Sequence, residues 1–148
     1  MTLRFRAATR ADIAAVVALL ADDMLGAGRE TGTADHYLAA FDAMQQEGNN
    51  HLIVAEQDGD IIGCYQISFI AGLSLSGARR AQIEGVRVHG DHRGQGIGEA
   101  LIRDAEARAR DHGCTLMQFT TNKSRGDAHR FYNRLGFTPS HIGYKKPL

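Results

Sequence analysis

Between Ala81 and Ile102 the chain reads AQIEGVRVHGDHRGQGIGEALI, and within it Arg93-Gly94-Gln95-Gly96-Ile97-Gly98 places three glycines at alternate positions behind an arginine. The run from Gln82 to Val88 carries the β-branched Ile83, Val86 and Val88 and predicts a strand. A polar turn follows, His89-Gly90-Asp91-His92, and then Ile97, Leu101, Ala105 and Ala109 recur on one face of a predicted helix. A strand, a basic glycine loop and a helix N-terminus in succession make an anion site. Glycines let successive N–H groups converge, and the first helical turn adds unpaired donors and a partial positive charge. Arg93 adds a full charge, so the expected guest is a phosphate or pyrophosphate. The spacing argues against two other nucleotide loops. A dinucleotide fingerprint needs glycine at position 99, where Glu99 stands, and the chain has no Gly-Lys-Ser/Thr here. A tight turn alone requires small residues, but not this alternation behind an arginine.

With 148 residues, 43% of them hydrophobic, the chain can bury the core of one compact domain. No linker-like or low-complexity stretch divides it, so residues 1–148 are expected to form a single domain. Seventeen Lys+Arg balance seventeen Asp+Glu, and a net charge of zero speaks against a general nucleic-acid binder. Cys64 and Cys114 lie far apart without metal-ligand spacing, so they are expected as reduced core residues of a cytoplasmic protein that holds no metal. No apolar run is long enough to span a bilayer and the N-terminus lacks the apolar block of a signal peptide, so no membrane partner is expected.

The rest of the chain reads as strands and amphipathic helices. Leu3 and Phe5 alternate with Arg4 and Arg6 in a short opening strand. Thr9 is the expected N-cap of a first helix, with Asp12 as its acidic first-turn partner and Ile13, Val16, Val17, Leu20 and Met24 facing the core. Residues 26–33, with Gly26, Gly28 and Gly32, predict a loop, and a second helix starts near Thr33 with Tyr37, Leu38, Phe41 and Met44 as its stripe. Gly48 ends that helix, and His51–Gln57 and Asp60–Ile70 form a hairpin across Asp58-Gly59, with Gly63 marking a bulge or a close approach. Residues 72–80 predict a loop bearing Arg79 and Arg80. After the glycine-led helix, which Gly113 closes, come a strand over Thr115–Thr120, a helix over Arg125–Leu135 stopped by Gly136, and two closing strands, one from Phe137 and one over His141–Lys145.

Arg93-x-x-Gly96-x-Gly98 between a strand and a long amphipathic helix resembles the pyrophosphate loop of the GNAT superfamily of acyl-CoA N-acetyltransferases. Ala128-x-x-Phe131-Tyr132-x-x-Leu135-Gly136-Phe137 resembles that family's second signature, and the opening strand and helix are similar to its first unit. The resemblance covers essentially the whole chain. It implies an α/β fold, a mixed sheet of about seven strands flanked by about four helices. It also implies acetyl-CoA as cosubstrate, bound by the backbone of Val86, Arg87 and Val88 along the pantetheine arm and by Arg93, Gly94, Gln95, Gly96, Ile97, Gly98 and Glu99 at the phosphates. Seven residues before Tyr132, where many relatives carry Asn, this chain has Arg125, and Asn122 lies three residues earlier. Either one is expected to touch the cofactor.

The implied chemistry moves an acetyl group from a thioester to a primary amine. Alkylamines titrate near ~10 and must lose a proton to attack, while the departing thiolate, of thiol pKa roughly 8.5, gains from a proton donor. Neither cysteine has a His-Asp companion nearby in sequence, so direct attack in a ternary complex is expected, with proximity supplying much of the rate. The resemblance makes Glu84 the base, acting directly or through water, and Tyr132 the acid. Arg29, in a region that lines the acceptor cleft of such proteins, and Arg79 and Arg80 are expected anchors for an anionic acceptor, each set against a solvated surface reading. His89, His92 and His129 read as polar surface residues. A small-molecule amine is the expected acceptor. Protein N-termini or lysines are the alternative, as is a non-catalytic acyl-CoA-binding regulatory module, and a homodimer is expected through the exposed final strand.

Overall fold

The computed structural model describes residues 2–22 and 24–148, without the side chains of residues 24–26, so the core role expected for Met24 lies outside the described residues. Two compact units divide the chain, one running to Gln118 and one from Phe119 to Leu148. The first contains β1 (Leu3–Ala7), a 3-10 turn at Arg10–Asp12, α1 (Ile13–Ala21), α2 (Met24–Arg29), α3 (Ala34–Glu47), β2 (Asn50–Gln57), β3 (Asp60–Ile70), a single turn α4 (Ser74–Gly77), β4 (Arg80–Val88), a 3-10 turn at Gly90–His92, α5 (Ile97–Asp111) and β5 (Leu116–Gln118). The sheet order is β1-β2-β3-β4-β5, antiparallel from β1 to β4 and parallel between β4 and β5. A parallel pair needs a crossover, and α5 supplies it.

Local sequence explains most of these elements. Asp58 and Gly59 both take positive φ, 53° and 85°, as a tight two-residue hairpin demands. Thr33 caps α3 by accepting from the His36 N–H at 3.3 Å, and Gly48 ends it at φ 76°. Helix α5 ends in a Schellman arrangement: the Cys114 N–H reaches the Ala109 carbonyl at 2.9 Å and the Gly113 N–H reaches Arg110 at 3.0 Å, with Gly113 at φ 76°.

The core lies on both faces of the sheet. Ile13, Val16 and Leu19 of α1 and Phe41 of α3 pack with Val54 and Cys64 on one face. On the other, Ile97, Leu101, Ile102, Ala105 and Ala109 of α5 are buried, along with Ile67 and Ile83 of the sheet. Gly63 is required by a close approach, since a Cβ there would lie 3.1 Å from the Arg87 carbonyl and 3.3 Å from Leu101 Cδ1. Buried Tyr65 donates to Asp104 at 2.6 Å, and Arg108 donates to the same carboxylate at 2.8 Å and to the Phe5 carbonyl at 3.4 Å, tying α5 to the sheet. Burial first, then the bond to Asp104, raises the Tyr65 pKa.

The second unit contains α6 (Gly126–Arg134). It too ends in a Schellman pair, Phe137 N–H to Tyr132 O at 3.1 Å and Gly136 N–H to Asn133 O at 3.2 Å, with Gly136 at φ 94°. Phe119, Phe131, Tyr132 and Phe137 cluster, with Phe119 and Tyr132 ring centroids 4.2 Å apart.

Several expectations are corrected. Residues 26–29 of the expected loop are helical: they belong to α2, whose contact with α1 offsets the cost of its two glycines. Arg80 belongs to β4 rather than to the preceding loop, and β5 spans three residues instead of Thr115–Thr120. Five strands stand where about seven were expected, and six helices, one a single turn, where about four were expected, among the described residues. The two closing strands are not formed. The Phe137 N–H is committed to the end of α6, Pro139 and Pro147 have no N–H to donate, and residues 138–148 join no ladder.

Thr9 and Asp12 form the expected helix start, but Asp12 does more than cap. Its carboxylate accepts from Arg6 at 2.7 and 3.0 Å and from the Thr9 N–H at 2.7 Å, while Arg6 also donates to Glu56 on β2 at 3.1 Å. The bonds from Arg6 hold the Asp12 pKa down at about 2, against the opposing effect of burial. A depressed carboxylate stabilises the fold above its unfolded pKa, and that contribution disappears as pH falls from about 4 to about 2. We expect Asp12→Asn to lower unfolding free energy by about 2 kcal/mol at pH 7 and to flatten the loss of stability over that window. Urea denaturation at pH 7 and at pH 3 measures both, and an unchanged pH dependence would rule the pair out as the cause.

Candidate functional site

The site begins with a misfit in β4. Cys64 pairs with Arg87 and Gln66 with Glu84, so three steps along β4 face two along β3. The extra residue is a bulge beside Gly85, which sits at φ 60°, a conformation glycine adopts without penalty. On its other side β4 pairs with β5 only from Arg80–Leu116 to Gln82–Gln118. From Ile83 to Val88, therefore, β4 has a strand neighbour on the β3 side alone within the first unit. Such a free edge accepts an extended ligand carrying amide groups. The sequence reading missed Gly85; a glycine inside an otherwise β-branched strand was the available signal.

Directly beyond this edge lies the glycine loop. Gly94 and Gly96 take φ 77° and 80°, and a Cβ on either would meet no atom within 4 Å, so the cradle opens outward. Gly96 is the N-cap of α5, and the first bond of that helix runs from the Ala100 N–H to the Gly96 carbonyl at 3.1 Å. The N–H groups of Ile97 and Gly98 therefore lack intrahelical partners. The Ile97 side chain is buried in the core, which leaves its backbone as the part able to meet a ligand. Gln95 is exposed, and Glu99 faces Arg103 at 3.8 Å. Arg93 is held at the loop's start: its Nε donates to the Val88 carbonyl at 3.3 Å, and its Nη2 to the Asp22 carbonyl at 3.3 Å, with the Asp22 carboxylate 3.7 Å away.

Val86, Arg87 and Val88 follow the bulge, half-buried, with Arg87 Nη1 on the Val86 carbonyl at 2.9 Å. Glu84 is exposed, on the opposite face from buried Ile83. In the second unit, Tyr132 is half-buried in the aromatic cluster. Asn122 Oδ1 accepts from the Ser124 N–H at 2.9 Å and its hydroxyl at 2.7 Å, and Arg125 is the N-cap residue of α6. Arg29 ends α2 and is exposed. Arg79 and Arg80 do not converge. Arg79 has a buried Nε and acts on Cys114, whereas Arg80 Nη1 would lie 3.2 Å from a Cβ on Gly72. His89 Nδ1 accepts the Asp91 N–H at 3.1 Å, His129 Nε2 lies 3.0 Å from the Asn122 carbonyl, and His92 Nδ1 is buried.

Both cysteines are free and buried. Burial pushes the Cys64 thiol up to about 12 despite Arg87, and raises Cys114 despite Arg79. A thiol held protonated is a poor nucleophile. Among the described residues no three His, Cys, Asp or Glu side chains group as metal ligands, and no helix is long and apolar enough to cross a membrane.

A free strand edge leading into a glycine loop at a helix N-terminus suits an extended ligand that carries amides and phosphates. The sequence model of the acetyltransferase (GNAT) family matches residues 14–137, and the chain belongs to that family. It is an acetyl-CoA-dependent acyltransferase that transfers to an amine. It is 37% identical over 109 residues to the aminoalkylphosphonate N-acetyltransferase of Salmonella typhimurium, covering 73% of this chain and 70% of that one. It is 30% identical over 141 residues to the L-amino acid N-acyltransferase MnaT of Escherichia coli, covering 93% and 79%. A crystal structure from Bacillus halodurans C-125, described as a transcriptional regulator, superposes with a TM-score of 0.94 at 44% identity, covering 99% of this chain and 100% of that one.

Proposed function

We propose that this protein acetylates a small primary amine by direct attack on acetyl-CoA in a ternary complex. The observation that carries the reading is the free β4 edge running into the open Gly94–Gly96 cradle, with exposed Glu84 on the same strand. In this reading the pantetheine arm bonds to Val86–Val88 and the pyrophosphate to Arg93 and the N–H groups from Gly94 to Glu99. Of the two further cofactor contacts weighed, Arg125 is favoured, because Asn122 Oδ1 is committed to Ser124. The named activities of the Salmonella and Escherichia relatives, toward aminoalkylphosphonates and L-amino acids, support a small acceptor that pairs an amine with an anionic group. The family match spans the boundary at 118–119, which supports one functional domain, and the two free buried cysteines suit a cytoplasmic location.

CoA should raise the melting temperature by mass action on the folded state, and more than NADH or ATP at equal concentration. Gly96→Asp should abolish that shift, since its carboxylate would stand where the phosphate binds. Thermal-shift assays decide both, and a full CoA shift in Gly96→Asp would place the phosphates elsewhere. The description of the Bacillus halodurans protein favours a second reading, an acyl-CoA-binding regulator on the same fold. Binding of CoA without turnover across aminoalkylphosphonates and amino acids would select it.

Glu84 is proposed as the base and Tyr132 as the donor to the leaving thiolate. Glu84→Gln should then lower kcat/KM most near neutral pH, where amines of pKa near ~10 are protonated, and recover in part as pH rises. The deficit of Tyr132→Phe should persist or grow at high pH. Parallel, pH-independent losses in profiles of kcat/KM against pH would assign both residues to shaping the cleft. A homodimer is also proposed, because Ile142 and Tyr144 are 71% and 90% exposed in the tail that forms no strand. Sedimentation equilibrium at micromolar concentration should show it, and a monomer alone would remove it.

A further inference from the structure

Glu84 stands on a polar stretch of the sheet. Residues opposite each other in antiparallel register share a face, as do residues two apart along a strand. Gln66 pairs with Glu84, Ser68 with Gln82, Asn50 with Ser68, and Gln82 with Gln118, so all six lie together. Farther along the same face the sheet becomes apolar, where Val54 and Cys64 pack with α1 and α3. A cluster of uncharged amides and one carboxylate beside an apolar core calls for a polar occupant.

The amides around Glu84 are oriented. Glu47, at the end of α3, is an acceptor only when ionised, so its 2.9 Å contact turns Asn50 Nδ2 toward it. Asn50 Oδ1 then receives Gln66 Nε2 at 2.8 Å and the Ser68 hydroxyl at 3.4 Å. This order fixes which way Gln66 lies: its nitrogen serves Asn50, and its Oε1 remains for another partner. Neither that oxygen nor the Glu84 carboxylate makes a hydrogen bond or ion pair among the described residues. Two acceptors on directly opposed residues match a group that offers only N–H bonds. A primary ammonium is such a group.

We propose that Gln66 is a substrate-binding residue that orients the acceptor amine, with its Oε1 accepting one N–H while Glu84 takes another. Asn50 and Glu47 are positioning residues that hold the Gln66 amide in the required sense. The inference rests on Glu84 being the base of the reaction proposed above. When the ammonium gives one proton to Glu84, directly or through water, Gln66 keeps hold of a second N–H. The freed lone pair can then form the bond to the acyl carbon as the carbon–sulfur bond breaks; the nitrogen sheds its second proton and the thiolate takes one up, so a neutral amide and thiol result with the net proton on Glu84. An amide serves here better than a second carboxylate, because it accepts without competing for the proton.

The test uses isotope-labelled protein saturated with CoA, titrated with ethanolamine as the primary-amine probe and with ethylene glycol as its amine-free counterpart. The Gln66 side-chain NH2 resonances should shift with ethanolamine and stay put with glycol. Gln66→Met should raise the ethanolamine Kd about tenfold or more, the loss of one hydrogen bond to a charged group. The Gly94 and Gly96 amides report CoA binding in the same samples. If they respond to CoA while Gln66 ignores ethanolamine, or while Gln66→Met leaves Kd unchanged, this inference alone is overturned. If they do not respond in the wild type, the cofactor reading falls and this inference with it.

Discussion

One extra residue in β4 sets up everything else in the site. The bulge beside Gly85 leaves β4 bonded to β3 along most of its length but to β5 only over Arg80–Gln82. Backbone N–H and C=O groups are strong donors and acceptors, and a strand edge released from pairing keeps them available. Glycine at 85 makes that release possible, because its φ of 60° would strain a residue with a Cβ. The same strand then delivers the chain into the loop from Arg93 to Gly98. Edge and cradle therefore follow one another along a single rigid element, which suits a long cosubstrate with amides at one end and phosphates at the other.

The strand is held in place by a close fit on its other side. Gly63 lets β3 approach the Arg87 carbonyl and Leu101 of α5, and the Tyr65–Asp104–Arg108 bonds fix the helix against the sheet. The N-terminus of α5 is thus anchored by its buried face, with the helix opening at the glycine cradle. Ile97 illustrates the division within one residue, with a side chain in the core and a backbone donor at the cradle. A helix held this firmly presents its donors without reorganising, which is the condition for tight anion binding.

The two faces of the sheet carry different tasks. Ile67 and Ile83 face α5, and their neighbours Gln66, Ser68, Gln82 and Glu84 face the other way. Strict alternation thereby separates stability from chemistry by one residue step along each strand. Cys64 lies on the same face as Gln66, where the sheet packs against α1 and α3, and Cys114 follows the end of α5. Burial keeps both thiols protonated.

The hairpin at Asp58-Gly59, the capped start of α3, the C-terminal glycines of α5 and α6 and the buried stripe of α5 were legible in the sequence, because each rests on contacts within a few residues. The glycine loop was legible for the same reason: Gly94 and Gly96 take positive φ where the alternation requires it. Helix α2 was not, since glycines argue against it locally and contact with α1 stabilises it. Nor were the closing strands correctly read, because alternation in Ile142 and Tyr144 supplies a pattern but no partner to bond with. The bulge, the separation of β4 from β5 and the orientation of the Gln66 amide depend on register between strands far apart in the chain. Alternation along one strand sorts its own residues into two faces. Which residues of the next strand share those faces is decided only when the ladder forms, and that is a property of the tertiary structure.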